Sequence, residues 1–125
     1  MAHWIVMFAV NLVIPATMIG FGRLFLKNPP RQINEFYGYR TAMSMKNQDT
    51  WDFAHQCNGR IWRKWGRVLL AITIIVMLAI LPQSETTVYT IGFVLTGLQV
   101  AALLGTIPII EKELHKTFDQ NGNRK

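Results

Sequence analysis

The 125 residues predict an all-α integral membrane protein: three transmembrane helices joined by a structured cytoplasmic loop, with an interfacial helix leading into the second span. Two observations carry that reading. Half of the residues are hydrophobic and only 16% are charged, well below the charged share of a typical soluble domain. The uncharged residues are also gathered into long runs: none of Lys, Arg, Asp or Glu occurs from Ala2 to Gly22, from Val68 to Ser84, or from Thr86 to Ile110. At about 1.5 Å of rise per residue, runs of roughly 17–25 residues match a hydrocarbon layer about 30 Å thick.

The spans are expected at about 3–26, 66–82 and 86–110, with a loop over 27–65 and a tail over 111–125, all within one membrane domain. A soluble three-helix bundle would place polar residues on one face of every helix, and the stretch "VLLAITIIVMLAIL" has no such face. A chain this short also lacks the mass to wrap three apolar helices in protein. The first run lacks the basic start and the small-residue cleavage site of a secretory signal, and Arg23 and Lys27 follow it like a stop-transfer flank. It is therefore expected to remain as a span.

Within this first helix, Pro15 withdraws the N–H that would bond the carbonyl of Asn11. A kink is expected there, with the freed carbonyl satisfied by Thr17 or by a neighbouring helix.

Charge sets the orientation. Nine Lys or Arg lie between Arg23 and Arg67, against Glu35, Asp49 and Asp52, and four more occupy the tail, whereas the connection after the second run carries only Glu85. All thirteen basic residues thus fall on one side, which the positive-inside rule places in the cytoplasm, with the N-terminus outside. This predicts a multipass membrane protein in contact with membrane lipid. Topology and anionic lipid account for the basic pI, and no nucleic-acid partner is expected.

In the loop, Pro29 and Pro30 end the first helix near Lys27. Further on, Trp51, Ala54, Asn58, Ile61 or Trp62, and Trp65 recur at helical spacing, predicting a helix from about Asp49, with Asp49 as its N-cap, that continues into the second span. Trp51, Trp62 and Trp65, set among Arg60, Arg63, Lys64 and Arg67, read as an interfacial belt. Between these parts lies "YGYRT". Gly38 permits a backbone turn closed to other residues, and Arg40 presents a planar, permanently charged fork. Two roles are open to Arg40: an ion pair with Glu35, Asp49 or Asp52, or contact with an anionic headgroup or peptide carboxylate.

Other chemistries find little support. Asp52, His55 and Cys57 include metal-binding types, but Cys57 points away from the face shared by Asp52 and His55, and no paired CxxC or HxxxH spacing occurs. A Cys–His nucleophile at i and i+2 of a helix fails on the same geometry. No metal, cofactor or catalytic residue is expected. The spans hold no ionisable side chain at mid-depth, which argues against a proton- or ion-coupled transporter. In the third run, Gly97, Ala101 and Gly105 form a small-residue stripe expected to pack inside the bundle, with homodimerisation as an added use.

The segment "NEFYGYRTAMSMKNQDTWDFAHQCNGRIW" resembles the core motif of the SdpI family of small bacterial membrane proteins, through Pro30, Asn34, Gly38, Tyr39, Arg40, Thr41, Ser44, Trp51, Ala54 and Asn58. The resemblance implies a membrane protein that protects against, or senses, a membrane-active toxin peptide. Beside the family's named member, a short three-span form without the additional membrane domain is expected. Ligand or partner contacts are expected at Asn34, Tyr37, Gly38, Tyr39, Arg40, Thr41, Trp51 and Asn58. An alternative use of the same surface is docking of a cytoplasmic regulatory protein or another membrane protein, and a weaker one is a small lipid-headgroup or transport component.

Overall fold

The computed structural model describes all 125 residues. Three helices account for most of the chain: α1 (Ala2–Lys27), α2 (Gln48–Ala79) and α3 (Glu85–Thr117). Contacts at Trp4 with Met77, and at Gly22 with Gly59, set α1 antiparallel to α2. Those of Met7 with Gly92, and of Asn11 with Gln99, set α1 parallel to α3.

Helices α1 and α3 are long and apolar enough to cross a bilayer, yet only 28% and 22% of their most apolar stretches are buried within the protein. Ile5, Val13, Ile75, Phe93, Val94, Leu98 and Leu104 all face outward. So much exposed aliphatic surface is unfavourable in water and suits lipid. Helix α2 is of a different kind: its first half alternates buried and charged positions, and its uncharged part runs over residues 68–79 before the turn at residues 80–83. Helix α3 does not stop at Ile110 but continues as one helix to Thr117.

Three details differ from expectation or refine it. The cap of α2 is Asn47, not Asp49: the Asn47 side chain accepts from the Thr50 N–H at 2.9 Å, and the Thr50 hydroxyl accepts from the Asn47 N–H at 3.0 Å. This reciprocal box satisfies two backbone donors and leaves Asp49 in the first turn to pair with Arg124 at 2.8 Å. The small-residue stripe does not pack inside the bundle. Gly97 and Ala101 are exposed, and a Cβ at Gly97 or Gly105 would meet nothing within 4 Å. Close helix approach occurs instead where Gly22 meets Gly59, where Gly66 meets Ile19, and where Gly92 meets Met7.

Helix α1 runs unbroken through Pro15, and a neighbouring helix takes the carbonyl that the proline frees. Gln99 Nε2 donates to Asn11 O at 2.8 Å and to Thr73 Oγ1 at 2.8 Å, so one amide joins all three helices. Thr96 Oγ1 donates to Asn11 Oδ1 at 3.0 Å, and Asn11 Nδ2 donates to Met7 O at 2.9 Å. Asn11, Thr73 and Gln99 are fully buried, where each unmet bond is costly, and of their side-chain atoms only Gln99 Oε1 is buried without a partner. Apolar clusters flank this layer. Met7, Met77, Ile80, Val88 and Leu95 lie at one end, and Tyr39, Met43, Cys57, Ile110, Leu114 and Phe118 lie beneath the loop at the other.

A cleft beneath the glycine turn

The loop of residues 28–47 is held by side chains rather than by secondary structure. After Lys27, the two prolines carry the chain across the buried face of α2, where Trp51 Nε1 donates to Pro30 O at 2.7 Å. Asn34 then forms an Asx turn, its Oδ1 accepting from the N–H groups of Phe36 and Tyr37 at 2.9 and 2.7 Å.

Gly38 follows with φ +118°, a conformation that L side chains rarely adopt. Space forbids a side chain there as well: a Cβ would lie 2.6 Å from His55 Nε2 and 3.1 Å from both Pro30 and Trp51. The turn thereby aims the next N–H, that of Tyr39, at His55 Nε2, which accepts at 2.9 Å. The other ring nitrogen, Nδ1, donates to Trp51 O at 2.8 Å, so the two bonds select the Nδ1-protonated tautomer. Burial pushes the His55 pKa down and keeps the ring neutral, as an acceptor must be.

Tyr39 itself is buried, and its hydroxyl donates to Glu111 Oε1 at 2.8 Å, tying the loop to α3. Burial first, and the Glu111 carboxylate second, raise the phenol pKa far above its usual range, so the hydroxyl stays a donor. Ser44 closes the turn from below, donating to Tyr39 O at 2.9 Å while accepting from the Thr41 N–H at 2.9 Å. The C-terminal tail folds over the start of α2. Asn47 Nδ2 donates to Gly122 O at 2.7 Å, and Arg124 reaches Asp49 with two bonds while lying over the Phe118 ring.

The arrangement encloses a cleft of about 450 Å³, within the size range of small-ligand sites. One wall is Phe21 and Phe25 of α1; the turn from Phe36 to Thr41 forms the roof; Asn58 and Trp62 of α2, with Ile107 of α3, complete it. The rings of Phe21, Phe25 and Tyr37 lie 5.8–6.3 Å apart. Phe36, Phe21 and Ile107 at the rim are exposed.

Two polar groups in this apolar space lack protein partners. Asn58 is 1% exposed, its side chain makes no hydrogen bond, and its Oδ1 is completely buried. An unmet buried amide oxygen costs about 1–3 kcal/mol. Arg40 forms none of the expected ion pairs with Glu35, Asp49 or Asp52: Nε donates to Asn34 O at 3.0 Å, and the terminal nitrogens of the guanidinium have no protein partner.

Six of the eight residues expected at a site, Tyr37, Gly38, Tyr39, Arg40, Thr41 and Asn58, therefore line one cleft. Asn34 and Trp51 stand behind it, Asn34 holding the Arg40 side chain and Trp51 buttressing the turn with its ring fully buried. Two further residues matter that sequence reading assigned elsewhere. His55 acts as the acceptor that locks the turn, and Trp62, placed in the interfacial belt, forms a wall and donates to Thr106 Oγ1 at 3.0 Å. His55 and Cys57 do not meet. Both nitrogens of the imidazole are engaged at the turn, while the thiol, its pKa raised by burial, lies in the apolar cluster with Ile110 and Leu114.

YfhL of Bacillus subtilis (strain 168), described as an uncharacterized protein, is 31% identical over 115 residues, covering 91% of this chain and 94% of that protein. No solved structure matches the chain. The matching family profile extends over residues 31–110, taking in the loop from Arg31 onward, the glycine turn, the whole of α2 and Gln99 of α3. With most of its length and all parts of the cleft except the α1 wall inside that match, the chain belongs to the SdpI/YfhL protein family.

Proposed function

We propose that the protein is a membrane-embedded capture module for an amphipathic, membrane-partitioned ligand, and that it protects against, or senses, a membrane-active peptide. One observation carries this reading: Asn58, its amide oxygen unpaired, and Arg40, its guanidinium end without a protein partner, line one aromatic cleft whose rim is exposed next to apolar helix surface. An apolar segment would occupy the cleft between Phe21, Phe25 and Trp62. Its carboxylate or backbone carbonyl would meet the guanidinium, and a peptide N–H would satisfy Asn58 Oδ1. In this reading the apolar half of α2 is the middle of three spans, the N-terminus is outside, and the loop and tail lie in the cytoplasm of a bacterial cell, where Lys and Arg are retained. Binding rather than catalysis is favoured because Cys57 is buried as a thiol and His55 has no free nitrogen.

The test is survival and membrane potential of a sensitive bacterium expressing the protein at matched membrane levels during challenge with a secreted, membrane-active killing peptide. Wild type is expected to protect, while Arg40→Ala and Asn58→Leu lose at least about tenfold of that protection, the share of one charge-assisted hydrogen bond. Absence of protection by wild type would overturn the toxin reading. A stably co-purifying regulator would then favour docking instead.

A further inference from the structure

A second site lies on the opposite side of α2 from the glycine turn. Arg60, Arg63, Lys64 and Arg67 follow one another at i, i+3, i+4 and i+7, so all four occupy one face of the helix over about 10 Å of its length. They line a groove of about 440 Å³ whose apolar shelf is Leu26 of α1 and Val68 of α2. The groove exists because the backbones of α1 and α2 nearly touch beside it: a Cβ on Gly22 would lie 2.7 Å from Arg63 N, and one on Gly59 would lie 2.8 Å from the Leu26 side chain.

None of the four cations is paired with an acid. The ion pair of the chain is Arg124 with Asp49, and the contact of His115 with Glu111 at 3.8 Å also lies elsewhere. Arg63 Nε is buried without any partner. Four like charges at this spacing repel one another, and a bound anion with more than one charge would relieve that repulsion. Position identifies the kind of anion. The groove ends at Val68, where α2 becomes uncharged, so anything seated on the cations lies level with the boundary between headgroups and acyl chains.

We propose that this groove binds the headgroup of an anionic phospholipid, with the two phosphodiesters of diphosphatidylglycerol along the stripe and acyl chains against Leu26 and Val68. The inference rests on the membrane location of the protein and is independent of what the cleft beneath Gly38 binds. Arginine forks are suited to phosphate oxygens, and the length of the stripe accommodates two phosphates joined by a glycerol. A single phosphodiester would engage only half of it.

Native mass spectrometry of the full-length protein released from neutral detergent tests this. It would be titrated with diphosphatidylglycerol, phosphatidylglycerol, phosphatidylcholine and inorganic phosphate. Diphosphatidylglycerol is expected to bind at least about tenfold tighter than phosphatidylcholine, and tighter than phosphatidylglycerol. Arg60→Gln, Lys64→Gln and Arg67→Gln together should weaken it about 100-fold, from roughly fivefold per cation. The control pair Lys112→Gln and Lys116→Gln should retain it.

Equal binding of diphosphatidylglycerol and phosphatidylcholine would overturn the proposal, as would an equal loss in the control pair, which would indicate diffuse charge. Displacement of the lipid by millimolar inorganic phosphate would make the groove a soluble-anion site and also defeat it. Phosphatidylglycerol binding as tightly as diphosphatidylglycerol would remove the two-phosphate assignment. If the triple variant does not fold, the wild-type selectivities and the phosphate competition decide the matter by themselves.

Discussion

Gly38→Ala is the perturbation whose cost follows most directly from the geometry. An alanine at φ +118° incurs backbone strain of about 1–3 kcal/mol. Its Cβ would also stand 2.6 Å from His55 Nε2, an atom held on the other side by the bond from Nδ1 to Trp51 O, so the ring has little freedom to retreat. Moving it breaks the bond from the Tyr39 N–H and leaves a buried donor and a buried acceptor unmet, at about 1–3 kcal/mol. A total loss of about 2–5 kcal/mol is expected, allowing for partial relaxation of the loop. The assay is unfolding of the purified protein in mixed micelles, followed by tryptophan fluorescence, with Gly97→Ala as the partner variant. Gly97 is helical, is exposed and has nothing within 4 Å of its Cβ position, so alanine there should be neutral or stabilising by up to about 1 kcal/mol. Equal stability of Gly38→Ala and wild type, within about 0.5 kcal/mol, would refute the locked turn.

Two further outcomes follow from the same structure. Because burial lowers the His55 pKa below its ordinary 6.5, the unfolded chain binds the extra proton more readily than the folded one. Stability should be full above pH 6.5 and fall as the pH drops below it, by at most about 1.4 kcal/mol per unit, until the folded state is also protonated. Unfolding measured across this interval in wild type and His55→Asn checks the assignment, since the variant should lose that slope. Gln99→Leu leaves the Asn11 carbonyl unmet and should cost about 1–2 kcal/mol, whereas in a Pro15→Ala background the restored helical N–H supplies the missing donor and the cost should shrink. A double-mutant cycle with no coupling would count against that bond.

Much of the architecture was readable one residue at a time. The uncharged runs mark α1 and α3, the prolines at 29 and 30 mark where α1 stops, and the tryptophan spacing marks an α2 that begins well before its apolar half. The need for glycine between two tyrosines was also visible, as was the carbonyl that Pro15 frees. Less could be read about partners. Asn47 and Asp49 are both good caps; Asn47 takes the position through its box with Thr50, and its amide also reaches Gly122, distant in sequence. The small residues of α3 look equally fit to face a helix or lipid, and the packing of Gly92 on Met7 turns Gly97 outward.

The distinction is physical. Helix length, hydropathy and the conformational demands of Gly38 and Pro15 are properties of a residue and its immediate neighbours, so the sequence by itself determined them. The Tyr39–His55 bond, the Gln99 link, the unpaired Asn58 and the freedom of Arg40 from any carboxylate are relations between segments that meet only when three helices pack. Which polar groups find partners, and which are left facing a cleft, was decided by the tertiary structure, because a hydrogen bond requires two atoms within about 3 Å and sequence order does not specify that distance.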